Sequence, residues 1–330
     1  MADAQLDVVG VGNAIVDVIG QADEALIERL SLSKGTMTLI DAADADRLYS
    51  EMGPAIETSG GSAANTLAGI ASLGGVGAYI GKVRDDQLGG VFSHDIKAAG
   101  VDYRSRAANE GESTARCLIF VTPDADRTMQ TFLGVSVMLG PEDIDPEAIG
   151  DAQITYLEGY LFDQDPAKEA FVKAAELAHA ASRKVALSLS DPFCVDRHRA
   201  SFLDLVDGHV DILFANHDEI TSLFETSSLD DAVSQLVGKV DLAAITRGPE
   251  GSIIVTADQV IEIAAEPVTD VVDTTGAGDL YAAGVLFGLS QGHELKIAGR
   301  IGSICAAEVI SHYGARPAVS LSDLVNEKLG

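Results

Sequence analysis

Short apolar runs at residues 154–157, 185–189, 210–214 and 242–246 alternate with helix-period stretches at 166–182, 197–206 and 217–224. A strand that reads as one continuous apolar run is buried on both faces, and strands joined through helices of this length pair in parallel beneath them. The spacing therefore predicts an α/β core with a mainly parallel central sheet. The N-terminal part follows the same grammar. Apolar runs lie at 6–11 and 76–80, and helical patterns at 62–73 and 87–99 are stopped by Gly74-Gly75 and Gly100.

Two features break this rhythm. Residues 36–40 are strand-like, and the runs 116–121 and 128–132 flank Pro123-Asp124-Ala125-Asp126, which reads as the turn of a hairpin. Neither piece could bury a core of its own. The expectation is one domain over residues 1–330, with lid segments at about 13–18, 36–40 and 113–133 inserted in the core. No linker, low-complexity tract or repeat divides it.

Charge narrows the partners. Lys and Arg number 22 against 51 Asp and Glu, a formal net charge of −29, which repels nucleic acid and anionic membrane surfaces. The stretch 58–81 has no charged residue and is long enough to span a bilayer. It is too rich in Gly, Ser and Thr for a lipid-facing helix, and reads as a buried loop, helix and strand. The acidic N-terminus lacks a basic signal region. The widely spaced Cys117, Cys194 and Cys305 suggest reduced, buried thiols, so a cytoplasmic address is expected.

The sharpest chemical signal is Asp273-Thr274-Thr275-Gly276-Ala277-Gly278-Asp279, followed at once by an apolar helical run. Glycines opening a helix expose backbone N–H groups where the helix dipole is positive, which makes an anion hole of Gly276, Ala277 and Gly278. A carboxylate at its edge fits a base that takes the proton of an attacking hydroxyl. A helix cap on a tight turn explains the same residues, and this segment alone leaves both open.

Other phosphate and catalytic devices are missing from the sequence. Gly81-Lys82 is followed by Val83, so there is no P-loop, and the third glycine of a dinucleotide fingerprint begun at Gly10 and Gly12 would fall on Ile15. Gly60-Gly61-Ser62-Ala63-Ala64 lacks the second glycine of a nucleophile elbow, and the seven His show no zinc spacing. Gly60-Gly61 before a helix would instead let a ligand approach the backbone, with Asn65 offering both a donor and an acceptor to a sugar diol.

Together, Asp17 after Gly12-Asn13, Gly60-Gly61 with Asn65, Asn216-x-x-Glu219 and the 273–279 loop resemble the PfkB or ribokinase-like carbohydrate kinase family over practically the whole chain. The resemblance implies a ribokinase-like three-layer core with a small β-strand lid, acting as an ATP-dependent kinase. It implies Asp279 as catalytic base over the anion hole, and Asp17, Asn13, Gly60, Gly61 and Asn65 as holders of sugar hydroxyls. Arg127 falls where relatives neutralise phosphate. Asn216 and Glu219 match the motif that orders Mg²⁺ through water, although a plain helix cap would also explain them. Thr246-Arg247-Gly248-Pro249-Glu250-Gly251 is similar to the family's nucleotide-binding turn, through Thr246, Gly248 and Gly251. Asp273 and Thr275, near Gly314, match positions where some relatives hold a monovalent cation such as K⁺. In one departure from the family pattern, Leu67 replaces an expected small residue, which puts the packing of its helix in question.

Leu189-Ser190-Asp191-Pro192-Phe193, the run 210–216 and Asp126-Arg127-Thr128-Met129 are similar to the adenosine kinase branch, which implies the 5′-hydroxyl of a nucleoside, adenosine first, as acceptor. Phe132, Met129, Tyr160, Phe162 and Phe193 are candidates for a shelf under the base. Other nucleosides and free sugars such as ribose or fructose are the alternatives. A non-catalytic nucleoside or nucleotide sensor on the same fold is a different class, disfavoured by an intact Asp279 beside the anion hole. The assembly is expected to be a monomer or homodimer.

Overall fold

The computed structural model describes residues 4–124 and 126–330, so Ala125 of the expected turn and the first three residues lie outside the described residues. Among the described residues the apolar runs form one nine-stranded sheet. Its order is Asp102–Tyr103, Gly77–Ile80, Leu6–Val11, Ala152–Glu158, Lys184–Ser188, Ile212–Asn216, Leu242–Thr246, Ser252–Val255 and Val260–Ile263. Pairing is parallel as far as Leu242–Thr246, and the last two strands add antiparallel to that edge.

Successive side chains of a strand point to opposite faces, and the core divides accordingly. Val8 lies in one cluster with Leu67, Leu280 and Ile301, whereas Val9 and Val11 lie in the other with Phe171 and Phe202. Helices Ser62–Ser72, Ala277–Ser290 and Leu295–Val309 supply the first layer; Asp165–Ala180 and Pro192–His209 supply the second. Each large side chain removed from water in this way contributes roughly 1.5–3 kcal/mol. Leu67 is fully buried, and room for it comes from Gly10 and Gly77, where an added Cβ would stand 2.5 Å from its methyl groups. The helix expected at 197–206 is preceded by a turn of helix that Asp191 starts by accepting from the N–H of Phe193 at 2.7 Å, and the two join across a kink at His198, whose φ is −124°.

A second, five-stranded sheet runs Met37–Leu39, Arg127–Phe132, Ala115–Val121, Ile15–Gln21 and Ala55–Gly60. It contains the expected hairpin, paired antiparallel from Arg116↔Phe132 to Val121↔Arg127. Ala55–Gly60 is an addition to the expected segments. It joins antiparallel beside Ile15–Gln21, with Asp17 opposite Thr58. The chain passes from Leu6–Val11 in the large sheet to Ile15–Gln21 in the small one within a few residues, which sets the small sheet beside the carboxyl ends of the large one. Among the described residues no helix is long and apolar enough to cross a membrane.

Candidate active site

A cavity of about 1010 Å³ opens between the two sheets. The carboxyl ends of parallel strands are where ligands of open α/β sheets bind, and Asn13, Glu158, Ser188, Asn216 and Thr246 come to the wall from those ends. Asp17, Met37, Leu39, Cys117 and Met129 come from the small sheet. Two helix N-termini contribute to the lining as well, with Gly61, Ser62 and Asn65 from one and residues 274–279 from the other.

Both helix starts depend on glycine. Gly61 has φ +96°, and a Cβ there would stand 2.3 Å from the carbonyl oxygen of Asn13. Gly276 has φ +81° and leaves no room for a Cβ against Ala315, at 2.8 Å. No side chain caps helix Ala277–Ser290, so no side-chain acceptor competes with an anion at its first turn. Asp279 sits in that turn. Its Oδ1 accepts from Ser62 Oγ at 2.6 Å and its Oδ2 from Asn65 Nδ2 at 3.0 Å. Burial raises its pKa, and these two hydrogen bonds hold it back down. Asn65 Oδ1 is buried without a partner among the described residues, an acceptor free for a hydroxyl.

Asp17 is pushed up to about 6 by burial, against the pull of Arg316 and Arg127 and with the help of the Asp279 charge. Arg316 donates through Nη2 to the carbonyl and hydroxyl of Ser59, both at 2.9 Å, while its Nε and Nη1 are buried and unpartnered. Burial lowers its pKa, and Asp95, Asp17 and Asp279 support its charge. Glu158 is 1% exposed and joins three elements. Its Oε1 accepts from the backbone and side-chain N–H of Asn13, and its Oε2 from the N–H of Ala63. Burial raises it to about 7. The sequence reading had not singled out Ser62, Glu158 or Arg316. An acid closing the otherwise apolar run Ile154-Thr155-Tyr156-Leu157 was the one available signal among them.

Asn216 and Glu219 form a capping box at the start of helix His217–Leu223: Asn216 Oδ1 accepts from Glu219 N at 2.8 Å, and Glu219 accepts from Asn216 N and Nδ2. Both nevertheless line the cavity. Burial raises Glu219 to about 7, with Asp191 and Asp218 adding to the rise. A divalent cation nearby would relieve that cost. Among the described residues no group of three or more metal-ligating side chains forms a cage.

Several expected site residues do not line the cavity. Gly60 stands behind Asp17, Gly248 and Gly251 lie in the turn after Thr246, and Arg127 is paired with Asp273 at 2.9 Å. Of the candidate shelf residues, Met129, Tyr160 and Phe193 line the cavity. Phe162 is instead committed to the core against Phe171 and Phe202, with ring centroids at 5.4 and 4.8 Å, and Phe132 is buried beside Arg116.

The model of the family described as pfkB family carbohydrate kinase matches residues 36–321. The solved structure of adenosine kinase from Sinorhizobium meliloti superposes with a TM-score of 0.91 at 48% identity, covering 98% of this chain and 100% of that one. A probable sugar kinase from Rhizobium etli superposes with a TM-score of 0.91 at 46% identity, covering 98% and 99%. Among curated relatives, the 5-dehydro-2-deoxygluconokinase of Shouchella clausii is 29% identical over 97% of this chain and 94% of its own length.

Proposed function

The chain belongs to the pfkB family of carbohydrate kinases, a phosphotransferase with an alcohol acceptor, and from that premise we propose that it transfers the γ-phosphoryl group of ATP to the 5′-hydroxyl of adenosine. One observation carries the choice of acceptor. Within a single cavity a polar floor of Asp17, Asn65 and Asn13 adjoins an apolar wall of Met37, Leu39 and Met129. A ribose diol matches the floor, and a base matches the wall. A free sugar would leave the wall without a partner.

A sugar acid, the reading favoured by the 5-dehydro-2-deoxygluconokinase relative, meets an adverse charge. Among the described residues the lining carries one basic side chain, Arg197, against Asp17, Glu158, Asp163, Asp191, Asp196, Glu219 and Asp279, and the buried Arg316 is already faced by Asp95, Asp17 and Asp279. A neutral nucleoside avoids that repulsion.

In this reading Asp17 accepts from the ribose diol and Asn65 orients the sugar. Asp279 stands ready at the carboxylate oxygen that receives the 5′-hydroxyl proton, while the N–H groups of Gly276 and Gly278 hold the charge that develops on the phosphoryl oxygens. Asn216 and Glu219 would hold Mg²⁺ through water, and the ion neutralises the triphosphate in an acidic cavity. Initial rates of ATP-dependent phosphorylation of adenosine, inosine, cytidine, ribose, fructose and 5-dehydro-2-deoxygluconate test the proposal. It stands if adenosine has the highest kcat/KM and is overturned if any free sugar or sugar acid does.

A further inference from the structure

The monovalent cation implied at Asp273 and Thr275 does not fit the geometry there. Asp273 Oδ1 accepts from the backbone N–H of Thr275 at 3.0 Å and from its hydroxyl at 2.7 Å. Oδ2 accepts from the N–H of Gly314 at 2.9 Å and pairs with Arg127 Nη1 at 2.9 Å. Four donors therefore already converge on this carboxylate. The two charged side chains are 9% and 7% exposed, and the guanidinium also lies over the ring of Tyr313, its carbon 5.4 Å from the centroid. A metal cation beside Asp273 would have to displace a fixed positive charge or face it at short range in a poorly screened site.

We propose that Arg127 takes the place of the monovalent cation and is a positioning residue for the anion-hole loop. Its guanidinium neutralises Asp273, and Asp273 in turn ties Thr275 to Gly314 on either side of the loop. The N–H groups of Gly276 and Gly278 are thereby held for a phosphoryl group without an external ion, while that of Ala277 closes the turn on the carbonyl of Thr274 at 3.2 Å. Arg127 begins the strand Arg127–Phe132 of the small sheet, so the same ion pair joins that sheet to the loop that opens helix Ala277–Ser290. A planar, permanently charged fork suits this role better than a mobile ammonium.

The inference rests on the kinase reading only for what the loop does, so its test reads the loop directly. Melting temperature and hydrogen exchange of amides 274–278 are measured in potassium chloride and in N-methyl-D-glucamine chloride at equal ionic strength, for wild type, Arg127→Met and Arg127→Lys. Neither of these two measurements needs a sugar, so a wrong choice of acceptor leaves them intact; turnover, read beside them, uses whichever acceptor proves active. Wild type is expected to be indifferent to the cation in melting, in exchange and in kcat. Arg127→Met is expected to exchange these amides at least about tenfold faster in N-methyl-D-glucamine, with part of the protection restored by potassium. Arg127→Lys should fall between them. Wild-type loop exchange or turnover that changes by more than about tenfold when potassium replaces N-methyl-D-glucamine overturns the proposal, as does Arg127→Met with wild-type protection. Should Arg127→Met not fold, the wild-type comparison and Arg127→Lys decide.

Discussion

Glu158 holds Asn13 by both of its N–H groups through one carboxylate oxygen, the backbone at 3.2 Å and the amide at 3.0 Å, while the other oxygen takes the N–H of Ala63 at 2.7 Å. The end of a central strand is thus tied to the bend that leads to Asp17 and to the helix that carries Asn65. Among the described residues the carboxylate has no cationic partner at bonding distance, and its pKa rises from 4.5 to about 7. A folded-state pKa above the unfolded one stabilises the fold below the unfolded value, and that stability is lost as pH rises through the folded value. Glu219 shifts in the same sense to about 7, and Asp17 from 3.8 to about 6. The melting temperature is therefore expected to fall between about pH 4 and about pH 7. Glu158→Gln should flatten the fall by an amount on the order of 3 kcal/mol at ~1.4 kcal/mol per pKa unit. A pH slope unchanged in Glu158→Gln, read by thermal melting, would contradict this account.

Metal removal is the second expectation. Asp191 stands on the lining close enough to raise the pKa of Glu219, where the proposal puts Mg²⁺ and the triphosphate, so the nucleotide should be accepted only with its charge compensated. Excess EDTA is expected to abolish phosphoryl transfer, and added Mg²⁺ to restore it. Undiminished turnover in EDTA would remove Mg²⁺ from the mechanism.

What could be read from the sequence follows burial. Strands such as Ala152–Glu158 and Ile212–Asn216 are buried between helix layers and stand out as apolar runs. Ala55–Gly60, with the sequence AIETSG, is mostly exposed at one end and half-buried in the middle, so neither an apolar run nor a clean alternation marks it. The glycine loop and Asp279 were legible because anion binding at a helix start needs particular residue types in a row. Arg316 was not legible: it meets Ser59 across 257 residues, and only the folded chain joins them. Asn216-x-x-Glu219 shows the opposite difficulty, since a capping box and a cavity wall require the same letters.

The apolar wall gives the third expectation. Met129 and Met37 are paired across Arg127–Phe132 and Met37–Leu39, and both line the cavity. Replacing both by Ser removes apolar surface that a base would cover, on the order of 1–2 kcal/mol in total. KM for adenosine should rise roughly tenfold with kcat little changed, because the base is bound alike in ground and transition states. Residual turnover on ribose should not change. An equal loss on ribose and adenosine would mean that the wall supports the fold and not the base.

The last expectation separates a catalytic base from a helix-start residue, at Asp279. In Asp279→Asn one amide oxygen can still accept from Ser62, and the new amide nitrogen would face Asn65, whose buried Oδ1 has no other partner. Rotation of the Asn65 amide would restore that hydrogen bond, so the stability cost should stay near or below ~1 kcal/mol. What disappears is the carboxylate able to take the hydroxyl proton. As the base, its loss should lower kcat by roughly 10²–10⁴-fold, or ~3–5 kcal/mol of barrier. Nucleoside affinity by calorimetry should fall little, because Asp17 stays in place while the turned Asn65 offers the sugar its amide nitrogen instead of its oxygen. Melting, calorimetry and turnover belong on one preparation, since a fall in kcat means nothing if the variant is partly unfolded. An Asp279→Asn protein that melts normally and keeps more than about a tenth of wild-type kcat would show that the carboxylate only shapes the start of helix Ala277–Ser290, and the proton would need another acceptor.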